Sequence, residues 1–132
     1  MAKRTSLRPA EWTWADNVSH DIGVQIDDTI WVSGMVAFDP IGQIVGLGDM
    51  RAQADKTFAN IAEVLALGGA TLADVVKITA WLTDMDQYSG YNDARAAAFT
   101  GRMPASATVH SPRLVRDGLL VEVEALAVLD AD

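Results

Sequence analysis

Leu119-Leu-Val-Glu-Val-Glu-Ala-Leu-Ala-Val-Leu129 is the stretch on which the fold turns. Its alternation is that of a strand, because successive side chains of an extended chain point to opposite faces. One face carries Leu119, Val121, Val123, Ala125, Ala127 and Leu129, all apolar and suited to lie under helices. The other carries Leu120, Glu122, Glu124, Leu126 and Val128. Glu122 and Glu124 therefore share a face, about 7 Å apart. They stand between large apolar residues, so any surface covering them partly desolvates them. Desolvation and mutual repulsion both raise carboxylate pKa values, which is how a general acid or base is made near neutral pH. The competing reading leaves both glutamates solvated, or each paired with a basic residue across an interface.

Working back from this strand, Ser111–Gly118 reads as a loop and Ala105–His110 as a short strand. Met103-Pro104 ends a helix over about Gln87–Phe99, with Tyr91, Ala94, Ala98 and Phe99 on its buried side and Asp84 or Asp86 as its cap. Val75–Thr83 is strand-like. Before it, Met50, Ala54, Thr57, Phe58, Ile61, Val64 and Leu65 recur at spacings of three and four, one face of an amphipathic helix. Asp49 suits its N-cap, and Gly68-Gly69 its end, since glycine accepts the left-handed conformation that closes a helix. Ile22, Val24 and Ile26 alternate, Asp27-Asp28 suits a tight turn, and Thr29–Val36 is rich in β-formers, so these segments make a hairpin. Residues 1–18 are polar and irregular and are expected to form a flexible N-terminal arm ahead of one domain over 19–132. The order β-β-α-β-α-β-β gives an α+β domain with a mixed sheet and two helices on one face. The other face must meet water or a partner, and Ile30-Trp31-Val32 and Val75-Val76, apolar on both sides, favour association.

Half of the 132 residues are hydrophobic, enough for one core and against global disorder. A formal net charge of −8, with few and scattered Lys and Arg, argues against nucleic acid and anionic membranes as partners. Without cysteine there is no disulfide framework, zinc ribbon or thiol nucleophile. Met1–Glu11 has no apolar run behind its basic residues, so a secretory signal is not expected and a cytoplasmic location is. A metal site from His20, Asp21, His110 and Glu122 lacks any ligand-spacing motif, and no metal is expected.

Ile30-Trp-Val-Ser-Gly34, Gln53–Gly69, Ala73-Asp-Val-Val-Lys-Ile-Thr-Ala-Trp-Leu-Thr-Asp-Met85, Tyr91-Asn92, Pro104-Ala105 and Val121-Glu-Val-Glu-Ala-Leu-Ala127 together resemble the RidA/YjgF (endoribonuclease L-PSP-like) family, over about Ser19 to Val128. The resemblance implies a chorismate-mutase-like fold and a homotrimer with small-molecule clefts at the subunit boundaries. It also implies an enamine/imine deaminase that hydrolyses reactive intermediates to 2-keto acids and ammonia without a cofactor. By the same resemblance Glu122 orients or activates the hydrolytic water, Ser33-Gly34 is the turn whose backbone lines the pocket, and Asn92 lies at the cleft. His20 falls at the position of the family's pocket tyrosine, bringing a group that can titrate near neutrality and act as acid/base partner to Glu122. Ala105, Ser106 and Thr108 fall in the motif after the second helix that contacts substrate. There the family's pattern is Pro-Ala-Arg-Ser, and Ser106 stands where its carboxylate-gripping arginine would be. A serine hydroxyl cannot reproduce a bidentate charged contact, so an altered substrate range is expected. A non-catalytic, metabolite-binding or regulatory trimer is the alternative. Arg113 or Arg116, in the loop before the last strand, could return the missing charge or merely solvate the loop. His110, four residues from Ser106, shares its strand face and could serve it as a base. Trp12 and Trp14, in the arm, could close over a neighbouring cleft.

Overall fold

A computed structural model describes residues 2–129; residue 1 and residues 130–132, which the expected arm and domain include, lie outside the described residues. The elements are β1 (Arg4–Leu7), β2 (Gly23–Ile26), β3 (Thr29–Met35), α1 (Met50–Leu67), β4 (Val75–Leu82), α2 (Tyr88–Ala98), β5 (Ala105–His110) and β6 (Val121–Val128). The six strands form one sheet in the order β1-β2-β3-β6-β4-β5. Only β4 and β5 run parallel, joined through α2; the other pairings are antiparallel.

The alternation in β6 is realised as expected. Val121, Val123, Ala125 and Ala127 are buried, whereas Glu122 is half-buried and Glu124 exposed. β6 is central because it can pair on both sides, with β3 and with β4. Helix α1 lies across β3 and β6, and α2 packs beside α1. Ile61, Val64 and Leu65 of α1 meet Ile30, Ile78, Val121 and Val123 in a core closed to solvent. Asp49 caps α1 by accepting from the Ala52 N–H at 3.0 Å. Gly69, at φ +80°, turns the chain out at its end, a conformation that disfavours a Cβ.

The N-terminal segment differs from the irregular arm expected of it. Arg4–Leu7 is the edge strand of the sheet, paired with β2, and Leu7 and Trp12 are buried. The Trp12 indole donates to Glu63 at 3.1 Å, and Arg4 pairs with Asp21 at 3.0 Å. Four residues with two inward positions are too few for strand periodicity to stand out among polar neighbours. Trp12 is a core residue rather than part of a closing flap.

The opposite sheet face has no helix over it. Trp31 on β3 and Val109 on β5 are 46% and 43% exposed there, and Trp31 borders a groove with Val24, Lys77, Thr79, Glu124 and Leu126. Among the described residues no helix is long and apolar enough to cross a membrane.

Candidate active site

The expected site residues fall into two groups. The first lines a cleft of about 730 Å³ and contains His20, Ser33, Gly34 and Glu122, with Glu124, Arg116, Trp14 and Phe38 in its walls. Its geometry begins with an irregularity. Between β3 and β6 the register passes from Val32↔Ala125 to Met35↔Val123, so β3 carries one residue more than its partner. Such a bulge bends the strand and re-aims its side chains. The extra residue falls at Ser33-Gly34. The Ser33 hydroxyl donates to the Asp21 carbonyl, and its N–H donates to the Ile22 carbonyl, which fixes the bulge to the segment carrying His20.

Gly34 leaves the room that the Glu122 carboxylate fills. A Cβ there would lie 2.7 Å from Glu122 Oε2 and 2.9 Å from Cδ. The carboxylate occupies the space a side chain would take. Burial, followed by the like charge of Glu124, raises the Glu122 pKa above the ordinary glutamate value, and His20 opposes the shift. Glu124 thus acts on its neighbour through charge, the mutual repulsion expected of the pair. Trp14 stacks on Trp12 and meets Phe38 edge-on, so it walls the cleft of its own chain. The Arg116 guanidinium lies 4.4 Å over the Phe38 ring and donates to the Gly42 carbonyl.

The second group lies on the helix-covered side of β5. Asn92 and Ser106 border a different cavity, of about 340 Å³, with Arg95, Phe99, Met103 and Pro104. Sequence reasoning passes over Arg95. Its guanidinium donates to Ser106 Oγ at 2.9 Å, Tyr88 Oη at 2.8 Å and Asn92 Oδ1 at 2.7 Å. Asn92 and Arg95 are three apart on α2 and so adjacent on its surface, the one signal that could have drawn attention to Arg95. Beneath them Tyr91 is fully buried and its hydroxyl has no hydrogen-bond partner. Burial pushes that hydroxyl's pKa up, partly offset by Arg95 and by the nearby Ser106 and Thr108 hydroxyls. Thr108 is half-buried; Ala105 is exposed and, by alternation, turns to the other face from Ser106. The Ser106 hydroxyl accepts from Arg95, and His110 is exposed at the far end of β5, paired with Leu82. Among the described residues no three His, Asp or Glu side chains form a group able to hold a metal.

Comparison with known proteins identifies the family and the fold. The family described as Endoribonuclease L-PSP matches residues 15–129. The 2-iminobutanoate/2-iminopropanoate deaminase of Mus musculus is 39% identical over 106 residues, covering 80% of this chain and 77% of its own. Protein DfrA of Myxococcus xanthus is 37% identical over 107 residues, covering 80% of this chain and 81% of its own. Among solved structures, RidA from an Antarctic Psychrobacter superposes with a TM-score of 0.85 at 27% identity, over 95% of this chain and 99% of that one. The YjgF-like α+β fold, with its six-stranded mixed sheet and two helices, follows from these likenesses and from the topology above. The chain belongs to the RidA/YjgF, or Endoribonuclease L-PSP, family.

Proposed function

We propose that the protein is a cofactor-independent hydrolase of small enamines and imines, with Glu122 as the residue that activates water. The observation carrying this reading is a half-buried carboxylate of raised pKa, pressed against Gly34 in an open cleft beside Ser33 and His20. The imine deaminases among its relatives supply the reaction class.

An enamine first tautomerises to the imine, gaining a proton at carbon and losing one from nitrogen. Water, its proton drawn by Glu122, adds to the imine carbon, while His20 donates a proton to the imine nitrogen. Glu122 then returns its proton to the carbinolamine nitrogen, which leaves as ammonia, while the hydroxyl proton passes to His20, leaving a carbonyl and both side chains as they began. A partly desolvated carboxylate of raised pKa suits both halves of this cycle, since it can take a proton and return it. Ser33-Gly34 aligns the substrate through backbone groups, with Asn92, Ala105, Ser106 and Thr108 supplied from the β5 side of an adjoining copy. In this reading the copies form a trimer, which covers the exposed sheet face and brings the two residue groups together. The net charge of −8 disfavours a polyanionic substrate such as RNA.

The test is ammonia release from 2-iminobutanoate and from neutral imines generated in situ. Wild type should exceed the uncatalysed rate, and Glu122→Gln should reduce the gain by about 100-fold, the scale of general-base catalysis. Wild-type activity no greater than background sinks the reading. Stabilisation by 2-keto acids that are bound but never formed would favour the non-catalytic alternative, for which the serine at 106 is the motive.

A further inference from the structure

We infer that Arg95, projecting from α2, is the carboxylate anchor of this protein. This deepens the hydrolase reading by naming the substrate's charged end, and it rests on the adjoining-copy arrangement proposed there. Arg95 is a cation in a strongly acidic chain, yet its three side-chain hydrogen bonds all go to neutral acceptors, Ser106, Tyr88 and Asn92. Among the described residues no carboxylate pairs with it, although other arginines, Arg4, Arg8, Arg51 and Arg113, each have one. Its charge is therefore held in place without being neutralised. The bonds to Tyr88 and Asn92 occupy both Nη2 hydrogens, so a carboxylate taking two parallel bonds would displace these neutral acceptors, an exchange its negative charge favours because charge-assisted hydrogen bonds are the stronger.

The surroundings reinforce this. The guanidinium carbon lies 5.1 Å from the Tyr91 ring centroid and 5.9 Å from that of Tyr88, so aromatic faces hold the cation where a salt bridge would otherwise do so. The fully buried Tyr91 hydroxyl has no partner, so the cluster has a hydrogen-bond donor without an acceptor as well as a cation without an anion. Arg95 and Ser106 border a cavity of about 340 Å³, lined otherwise by Phe99, Met103, Pro104, Asn92 and Ala96. That is room for a short aliphatic acid whose charged end meets Arg95 and whose alkyl end meets Phe99 and Met103. β5 is the edge of the sheet opposite β1, open to an adjoining copy. Ser106 is then the small residue that lets the helix arginine reach the strand.

Equilibrium titration of the intact protein with 2-oxobutanoate, and separately with its uncharged amide, tests the assignment without requiring turnover. Wild type should bind the acid in preference to the amide. Arg95→Gln should weaken the acid by about tenfold or more, as expected for a lost charged hydrogen-bond pair. Arg95→Lys should recover only part of that loss, because a point charge does not replace a fork. Arg113→Gln, which removes an equal charge from an exposed surface pair, should change the affinity by less than about twofold. In unmutated protein the Arg95 guanidinium NMR signals should shift with the acid and not with the amide, a readout that survives if a variant misfolds. Unshifted Arg95 signals, or a loss of acid binding confined to Arg116→Gln, would overturn the inference. Arg95-dependent acid binding without ammonia release leaves the anchor standing and removes the hydrolase; ammonia release with an unchanged KM in Arg95→Gln does the reverse.

Discussion

The Glu122 carboxylate and the absent Cβ of Gly34 are two halves of one arrangement. The contact that a methyl at 34 would make, 2.7 Å to Oε2, is with the far end of a side chain that can rotate away. Gly34→Ala should therefore leave the melting temperature nearly unchanged while displacing the carboxylate, with imine hydrolysis falling by about tenfold or more as alignment is lost. An inactive but stable variant supports the seat; an active one shows that Glu122 works from another position. The raised Glu122 pKa has its own consequence. The folded state holds the Glu122 proton to higher pH than the unfolded chain does, so stability declines as pH rises from the ordinary glutamate pKa through the raised one. Glu122→Gln should escape that decline: thermal melts should find it more stable than wild type near neutrality, with the gain vanishing below about pH 4. A constant difference across pH would mean the carboxylate is not desolvated. Glu122 was legible in the sequence because a period of two places it beside apolar neighbours. Arg95 was not, because an arginine on the polar side of a helix reads as solvated, and the residue that gives it meaning, Ser106, lies on a different element.

At the scale of elements, two buried amides of α1 hold the chain around the cleft. Asn60 donates to the Val36 and Phe38 carbonyls at 2.9 and 3.0 Å, tying down the stretch that continues β3 along the cleft wall. Gln53 donates to the Gly46 and Gly118 carbonyls at 3.2 and 2.8 Å, and its Oε1 accepts from the Leu120 N–H at 2.9 Å. One side chain thus joins the loop before α1 to the loop that aims β6. Gln53→Leu keeps the volume but leaves those backbone groups unpaired, and chemical denaturation should show a loss of about 1–3 kcal/mol. A neutral result would mean that water replaces the amide. The helical period of α1 was readable, with its cap and its glycine stop, because both obey local rules. Gln53 and Asn60 were not, since a polar residue at a buried helical position has meaning only once the carbonyls it serves are in place. The same holds for β1: its pairing with β2 joins residues about twenty apart in the chain, and no local pattern announces it.

For the whole molecule, the face of the sheet opposite the helices sets the remaining constraint. Trp31, Val24 and Leu126 border a groove there together with Lys77, Thr79 and Glu124, and Val109 is exposed on the neighbouring edge strand. The sequence announced this face by strands apolar on both sides. A partner of identical sequence would bury Trp31 and desolvate Glu124, whose charge already raises the Glu122 pKa. Assembly and the chemistry of the cleft would then be coupled: closing the face strengthens the repulsion that keeps the Glu122 proton available. Trp31→Arg introduces a charge into that surface without touching the core, because the side chain is on the open side of β3. Its monomer should fold, with a far-ultraviolet spectrum like that of wild type. Light scattering at micromolar concentration should show the wild type as a trimer and the variant at one-chain mass. Imine hydrolysis should fall with the assembly, because the residue groups around Glu122 and around Arg95 line separate cavities in one chain. A wild-type monomer, or a monomeric variant with full activity, would mean that the Glu122 cleft is complete in a single copy.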